Sequence, residues 1–432
     1  MASGRTIHEP EKAGLNRAGG SLVVEASRGL ATLTAVAFVG LVLGAGALGY
    51  WIAGRAEPAV SATASALPAQ VAPTYAAKPG PWGDLICQRS IIEVPVEYLG
   101  LRSWENEPVQ WFFRGSSPEA LKQFLGSLEL SSQEKDDLTN PSRWQVNAEG
   151  IFVSPSLETV LSLKTTARNQ LYLELGRFEE NVMQNQPFHW PVSEAKDLFA
   201  STRVRAASIA VFEKLSYVRG KYLLFSDWKA LLSALPDANE RNAVAQALMR
   251  RFAVFAQLRV TPGSDVEALV RYWGAGGHEK DIRPILEAAA RLPQGANVSL
   301  GSLLPPPVRA RVYTFPFSAP EERLNCHWTT FNFFNETPEP PAGTRYWRDK
   351  LKTDYVAVTD SPRYGDVLVL LKPDHSIVHS CIFVADDIVY TKNGGSPFAP
   401  WQLSTLADVM DFYSWDLASN TALKPLWYRK RS

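Results

Sequence analysis

The chain is poor in cysteine and has no net charge, and both absences restrict its function. Its 44 Lys and Arg balance 44 Asp and Glu, so overall charge gives no indication of a nucleic-acid or acidic partner. The three cysteines, Cys87, Cys326 and Cys381, cannot all pair, so at least one thiol is free. We expect Cys87 and Cys381 to be small buried apolar side chains, with a disulfide between them as the alternative.

Motifs of several common activities are also missing from the region between Cys87 and Pro320. It has no repeat of solenoid period, no glycine-rich phosphate loop and no Cys/His cluster at zinc spacing. Its Trp and Tyr side chains favour a packed core over a ligand platform. This part of the sequence therefore indicates no particular chemistry.

Charged residues are absent between Arg28 and Arg55, where the sequence is strongly apolar. About 20 such residues cross a bilayer as a helix, whereas the apolar part of a cleaved signal peptide spans about 7 to 15. We therefore predict a transmembrane helix over residues 29–54, with the lipid bilayer as its partner. Basic residues precede this segment, which predicts a single-pass membrane protein with a cytoplasmic N-terminus and an extracytoplasmic bulk, periplasmic or at the cell surface.

The segments around this helix have distinct compositions. Residues 1–28 form the predicted cytoplasmic tail, and residues 55–82, rich in Ala and Pro, form a predicted linker. Within the helix, Gly40 and Gly44 make a small-xxx-small pattern that predicts a weak helix–helix dimer.

Residues 83–305 show mainly helical signals and are predicted to form a helical domain of unknown role. Amphipathic spacing runs from Leu157 to Phe178 and from Glu240 to Leu258. Helix starts are indicated at Ser117-Pro118, Ser154-Pro155, Ser193, Ser226-Asp227, Asp237, and at Ser264 with its capping-box partner Glu267.

Residues 306–432 change to shorter runs with turn residues between them, which makes the predicted fold class α+β with an antiparallel C-terminal sheet. A helix is expected to begin at Cys326 and a final one to run from Leu403 to Phe412, before a solvated basic tail from Tyr428 to Arg431. The predicted strands are Gly365–Leu371, Ile377–Val384 and Ile388–Lys392.

Cys326 is the candidate nucleophile because a helix N-terminus and a nearby imidazole both stabilise a thiolate. His327 diverges from its neighbour in direction, which leaves His379 or His375 as the base. His375 and His379 would be about 13 Å apart on one strand, too far to share a metal ion. We expect Asn393 to orient the base, with Thr391 as the alternative.

This order of elements resembles the NlpC-type, papain-like cysteine peptidases and amidases over about residues 310 to 415. The resemblance implies Cys326 as nucleophile, His379 as general base, and Thr391 or Asn393 as the third residue. It also implies that Gly365-Asp366 opens a strand and that Tyr313 polarises the attacked carbonyl. It implies no metal and no cofactor. The sequence departs from the family at the nucleophile, where Asn325-Cys326-His327-Trp328 replaces the usual Asp-Cys-Ser-Gly.

The expected function is a membrane-anchored cysteine hydrolase of the cell envelope that cleaves an amide or peptide bond, and the resemblance implies peptidoglycan stem peptides as substrate. The alternative is a membrane-anchored binding or assembly protein whose papain-like domain is inert. A lipid-directed acyltransferase on the same fold is a third interpretation.

Overall fold

The protein is described by a computed structural model that covers residues 73–99, 108–316, 324–417 and 421–431. These residues belong to one compact unit, Ala69–Ser432. The strands are β1 (Thr74–Ala76), β2 (Asp84–Ile92), β3 (Trp111–Arg114), β4 (Trp144–Val146), β5 (Gly150–Val153), β6 (Phe188–Pro191), β7 (Tyr217–Arg219), β8 (Tyr222–Phe225), β9 (Arg251–Val260), β10 (Ala296–Ser299), β11 (Tyr355–Val358), β12 (Val367–Leu371), β13 (Ile377–Ala385), β14 (Ile388–Lys392), β15 (Trp401–Thr405) and β16 (Lys424–Lys430).

Helices alternate with these strands along the whole described chain. They are α1 (Pro118–Ser127), α2 (Ser132–Thr139), α3 (Leu157–Ser162), α4 (Thr165–Leu175), α5 (Val182–Asn185), α6 (Val192–Ala195), α7 (Ala206–Leu215), α8 (Trp228–Ala234), α9 (Ala238–Leu248), α10 (Val266–Trp273), α11 (Glu279–Arg291), α12 (Leu300–Leu303), α13 (Pro306–Arg309), α14 (Cys326–Phe331), α15 (Thr344–Asp354) and α16 (Leu406–Phe412). Short 3₁₀ turns lie at Val96–Tyr98 and Pro141–Arg143.

The region predicted to be mainly helical is instead mixed, which corrects the expected architecture of residues 83–305. Three antiparallel sheets lie wholly or largely within it, with strand orders β1-β2-β9-β10, β3-β5-β4 and β6-β8-β7. The end of the predicted linker also contributes a strand, because β1 pairs with β2.

No helix in the described part of the chain is long and apolar enough to cross a membrane. The span predicted over residues 29–54 lies outside the described residues, as do Gly40 and Gly44. The fold class that included a transmembrane helix, and the single-pass localisation that followed from it, are corrected accordingly, since the structure gives neither of them support.

The run from Glu240 to Leu258 was predicted to be helical, but it contains a helix followed by a strand. Its first part is helix α9, capped by Asp237, whose side chain accepts from the Glu240 amide. From Val254 onward the buried residues alternate with exposed ones along β9, which is the period of a strand with one buried face. Short apolar runs satisfy both periods, so only the pairing of β9 with β2 and β10 decides between them.

The C-terminal sheet has the order β11-β16-β12-β13-β14-β15. Its strands β12, β13 and β14 lie where antiparallel strands were predicted. The tail expected to be solvated instead forms β16, inserted between β11 and β12. One of its basic residues, Arg429, binds the buried carboxylate of Asp366 at 2.7 Å, so the charge that suggested exposure is used inside the fold.

The two faces of this sheet are covered by different helices. On one face, Thr330 of α14 bonds to Ser380 of β13. On the other, Val409 of α16 packs with Cys381 and Leu368. Because successive strand residues point to opposite faces, His379 and Ser380 face different helices.

One apolar core joins residues from both sides of the predicted boundary between residues 305 and 306. Leu258 of β9 and Trp273 of α10 belong to the same buried cluster as Val367 and Ile382 of the C-terminal sheet. Strand β9 also contacts β15 directly, since the Gln402 side chain donates to Phe252 O at 2.8 Å. Residues that precede the predicted boundary therefore pack directly against the C-terminal sheet that carries the candidate site.

Gly365, at the entry to β12, provides a test of this architecture. Its φ is +89°, and an added Cβ would lie 2.4 Å from the Phe334 ring. Gly220 has a φ of +59° with open space around it. We expect Gly220→Ala to lower the free energy of unfolding by about 1 to 2 kcal/mol from backbone strain alone, and Gly365→Ala to lower it by more, as measured by urea titration. Equal losses would contradict the packing at Gly365.

Candidate active site

Cys326 is the first residue of α14, and its neighbour fixes the start of the helix. The Asn325 side chain accepts from the Trp328 amide at 3.0 Å, as an N-cap residue does. The thiol is buried but borders a cleft of about 860 Å³ that is lined by residues of α16, β6 and the segment after β14. Cys326 therefore lies at a helix N-terminus, as the sequence predicted. The structure adds that this position is at the wall of a cavity.

The thiol lies in a gap between two strands. Pairing of β13 with β14 begins only at Ile382, so the first residues of β13 have no partner on that side. Phe383 directs its backbone groups to β12, and because these groups alternate along an antiparallel strand, Ser380 directs its N–H to the gap. This N–H donates a hydrogen bond to the Cys326 sulfur.

His379 immediately precedes Ser380, so the same hydrogen bond brings the thiol beside the backbone of the predicted base. The His379 ring faces the side of the sheet that α16 covers, whereas Ser380 faces α14. The ring stacks on Tyr413, just after α16, with ring centroids 4.3 Å apart. Tyr413 borders the cleft together with Cys326, so the ring and the thiol lie at the same end of β13.

A chain of three side chains sets the protonation state of the His379 ring. Thr391 donates its hydroxyl proton to Asn393 Oδ1 at 3.0 Å. A hydroxyl has only one proton, so the contact of 3.0 Å between Thr391 Oγ1 and His379 Nε2 places the proton on Nε2. His379 Nδ1 then carries a lone pair, and it is buried without a hydrogen-bond partner in the described structure.

Both residues that were expected to orient the base therefore belong to one hydrogen-bond chain that ends at the His379 ring. Thr391, the alternative, touches the imidazole, and Asn393, the preferred residue, holds Thr391. Alternation along β14 explains this arrangement, since Thr391 faces the same side of the sheet as His379 and Asn393 follows just beyond the strand.

His327 has a separate, structural task. Its Nδ1 lies 2.8 Å from Ser380 Oγ, which itself donates to Thr330 Oγ1. Thr330 in turn donates to the carbonyl oxygen of Cys326 at 2.9 Å. This chain fastens the first turn of α14 to β13 and holds the thiol at the gap.

Burial makes the thiol and the imidazole a neutral pair. It raises the pKa of Cys326, although N–H groups of Ser380 and His327 and the charge of Lys392 oppose the rise. Burial also lowers the pKa of His379 well below its usual value. At neutral pH the sulfur therefore keeps its proton and the ring keeps its lone pair.

Lys392 is a charged residue of the site that sequence reasoning missed. Its side chain is 0% exposed and donates to the carbonyl oxygens of Gly394 and Ser396 at 3.0 and 2.8 Å. Burial lowers its pKa to about 8, and the charge of Cys326 acts in the opposite direction. The available signal was a lysine at the end of a predicted strand whose other residues are uncharged.

The remaining candidate residues lie elsewhere. The hydroxyl of Tyr313 donates to Val254 O at 2.7 Å, and its ring stacks on Phe255, so it is held against β9. His375 is an exposed turn residue. The structure therefore does not bring either of them to the thiol.

The other two cysteines, Cys87 and Cys381, are buried with free thiols, so the alternative disulfide between them is not formed. No group of three or more His, Cys, Asp or Glu that could hold a metal ion occurs in the described ranges. The cleft next to the thiol has aromatic walls, formed by Phe188, Trp190, Phe252, Phe398, Phe412 and Trp415.

Comparison with known proteins adds no family to this description. No protein-family model matches the chain, and neither a curated protein nor a solved structure gives a match.

Lys392 yields a prediction about the thiol. Because its positive charge favours the thiolate and is present only below about pH 8, Lys392→Met should slow the alkylation of Cys326 by about tenfold below that pH and change it little above pH 9. The rate of modification by iodoacetamide, followed by mass spectrometry across pH 6 to 10, measures this difference.

Lys372 gives the control, because it borders the cleft that reaches Cys326 but is paired with Asp416. Lys372→Met should leave the pH profile of Cys326 in place. A profile that is the same in the parent chain and in Lys392→Met would show that the ammonium does not act on the thiol.

Proposed function

We propose that this protein is a cysteine hydrolase that cleaves an amide or peptide bond through a thioester acyl-enzyme. Cys326 is the nucleophile, His379 the general base, Thr391 the group that orients it, and Asn393 the support of Thr391. The observation that carries the proposal is the Nδ1 lone pair of His379, which is buried without a partner in the described residues and held in that state by the Thr391–Asn393 chain. His379 directly precedes Ser380, whose N–H binds the Cys326 thiol at the wall of the cleft.

Attack begins from the neutral pair. As Cys326 approaches the substrate carbonyl carbon, its proton moves to His379 Nδ1, which makes the sulfur a thiolate only when it forms the new bond. The imidazolium is then stabilised by donation from Nε2 to Thr391, whose hydroxyl is in turn held by Asn393. Lys392 supplies positive charge to the sulfur during this transfer.

Breakdown of the tetrahedral adduct returns the proton. The Nδ1 proton of His379 passes to the leaving amine as the carbon–nitrogen bond breaks and the thioester forms. A water molecule then attacks the thioester, with His379 Nδ1 accepting its proton, and the carboxylic acid leaves as the Cys326 sulfur is reprotonated. The resemblance to the NlpC-type enzymes, which rests on the same residues, agrees with this reaction class.

The base has a direct test. His379→Gln should reduce the rate of Cys326 alkylation by iodoacetamide at pH 7 by about 100-fold, in the range of general-base effects, and Cys326→Ala should abolish labelling at that position. His375→Gln removes an exposed histidine and should leave the rate unchanged. Equal labelling of the parent chain and His379→Gln would contradict the proposed base.

Thr391 tests the orientation of the ring. Thr391→Val keeps the shape of the side chain but removes the oxygen that Nε2 donates to, so it should slow Cys326 alkylation at pH 7 by about tenfold or more, while Thr391→Ser should restore most of the rate. The same kinetic measurement, with thermal unfolding of both variants recorded, separates orientation from folding. Equal rates in the Val and Ser variants would exclude a positioning role for the hydroxyl.

A further inference from the structure

Arg251, the first residue of β9, is a cation of the cleft, and none of the described carboxylates forms an ion pair with it. It borders the cleft that also reaches Cys326. One guanidinium nitrogen donates to Arg250 O at 2.8 Å, whereas Nε is buried without a hydrogen-bond partner in the described residues. Burial lowers its pKa to about 10, so the group is still cationic at neutral pH, and no neighbouring acid offsets that burial.

The other charged side chains of the cleft are already paired. Arg89 binds Glu194 and Asp408. Arg250 binds Glu93, and Lys372 binds Asp416. A desolvated charge without a counter-ion is costly, so Arg251 differs from its neighbours in lacking the partner that each of them has.

Besides the unpaired Nε donor of Arg251, the cleft has an unpaired acceptor, the side-chain oxygen of Gln402. Gln402 of β15 is 3% exposed and borders the cleft. Its amide nitrogen donates to Phe252 O, next to Arg251 in sequence, but its Oε1 has no hydrogen-bond partner in the described structure. Buried amide oxygens are normally satisfied, so Oε1 is available for an N–H group of a ligand.

Register connects these two residues to the thiol. Gln402 is directly opposite Thr391 in the pairing of β14 with β15, and Thr391 touches the His379 ring. The Gln402–Phe252 hydrogen bond then extends the connection to the start of β9. Arg251, Gln402 and the candidate nucleophile therefore belong to one continuous surface of the cleft.

We infer that Arg251 binds a carboxylate of the substrate and that Gln402 Oε1 accepts an N–H from the same molecule. The substrate class is then a peptide or an N-acyl amino acid with a free carboxylate, held in the cleft beside the bond to be cleaved. Arginine suits this task because its guanidinium presents two donors to the two carboxylate oxygens. As a statement about the substrate of Cys326, the inference rests on the proposed hydrolase function.

Binding in the full chain tests it without any reaction. In the Cys326→Ala background, the dissociation constants of N-acetylglycine and N-acetylglycinamide are measured by ligand-observed NMR. The two probes differ only in the carboxylate, and we expect the acid to bind at least about tenfold more tightly, as a charge-assisted pair does. Arg251→Gln should remove this difference, whereas Arg250→Gln, which alters a paired cation of the same cleft, should retain it.

Arg251→Lys gives a second variant that keeps the charge, and it should preserve part of the preference for the acid. Equal binding of acid and amide by the parent background, or a preference that survives Arg251→Gln, would overturn the inference.

Labelling the parent chain with N-iodoacetylglycine and N-iodoacetylglycinamide separates this inference from the proposed function. If the Arg251-dependent preference for the acid is present but neither reagent modifies Cys326, the nucleophile fails and the carboxylate site stands. If both reagents modify Cys326 at equal rates and N-acetylglycine shows no preference, the nucleophile stands and the carboxylate site fails.

Discussion

The hydrogen bond from the Ser380 amide to the Cys326 sulfur is the contact on which the account of the site depends. It exists because β13 pairs with β14 only from Ile382 onward, which leaves the N–H of Ser380 without a strand partner. The thiol fills that opening from α14, and the side-chain chain from His327 to the Cys326 carbonyl keeps the helix in place. A fully paired sheet would use this N–H in its own ladder and leave the sulfur no position beside His379.

Burial then decides how such a site works. In water an imidazole titrates at about pH 6.5 and a thiol at about pH 8.5, but here desolvation moves their pKa values further apart, in directions that disfavour both charged forms. The proton remains on sulfur until a substrate carbonyl is present, and the Nε2–Thr391–Asn393 chain ensures that Nδ1 is the nitrogen that can accept it. Lys392 places positive charge near the thiol, and burial lowers the pKa of this lysine to about 8.

Local patterns in the sequence were enough to predict the C-terminal strands and the start of α14, because capping by Asn325 and turn residues such as Asp386-Asp387 act over a few positions. They were not enough where partners are remote. The middle region was expected to be helical, yet β2 pairs with β9 across more than 150 residues of sequence. The basic C-terminal tail forms β16 between β11 and β12, and its Arg429 binds Asp366. Likewise, Cys326, His379 and Thr391 were found by their order, but Gln402 and Arg251 reach the cleft only through strand register.

The claim that His379 Nδ1 is the nitrogen that accepts the thiol proton is tested most directly by determining the tautomer of the His379 ring. In the full chain with ¹⁵N-labelled histidine, two-dimensional NMR of the ring nitrogens, with assignment by His379→Gln, distinguishes Nε2–H, Nδ1–H and imidazolium forms. The hydrogen-bond chain through Thr391 and Asn393 and the lowered pKa predict a neutral Nε2–H ring at pH 6 to 8, which converts to a mixture of tautomers in Thr391→Val. An Nδ1–H ring or an imidazolium in the parent chain at pH 7 would contradict the account.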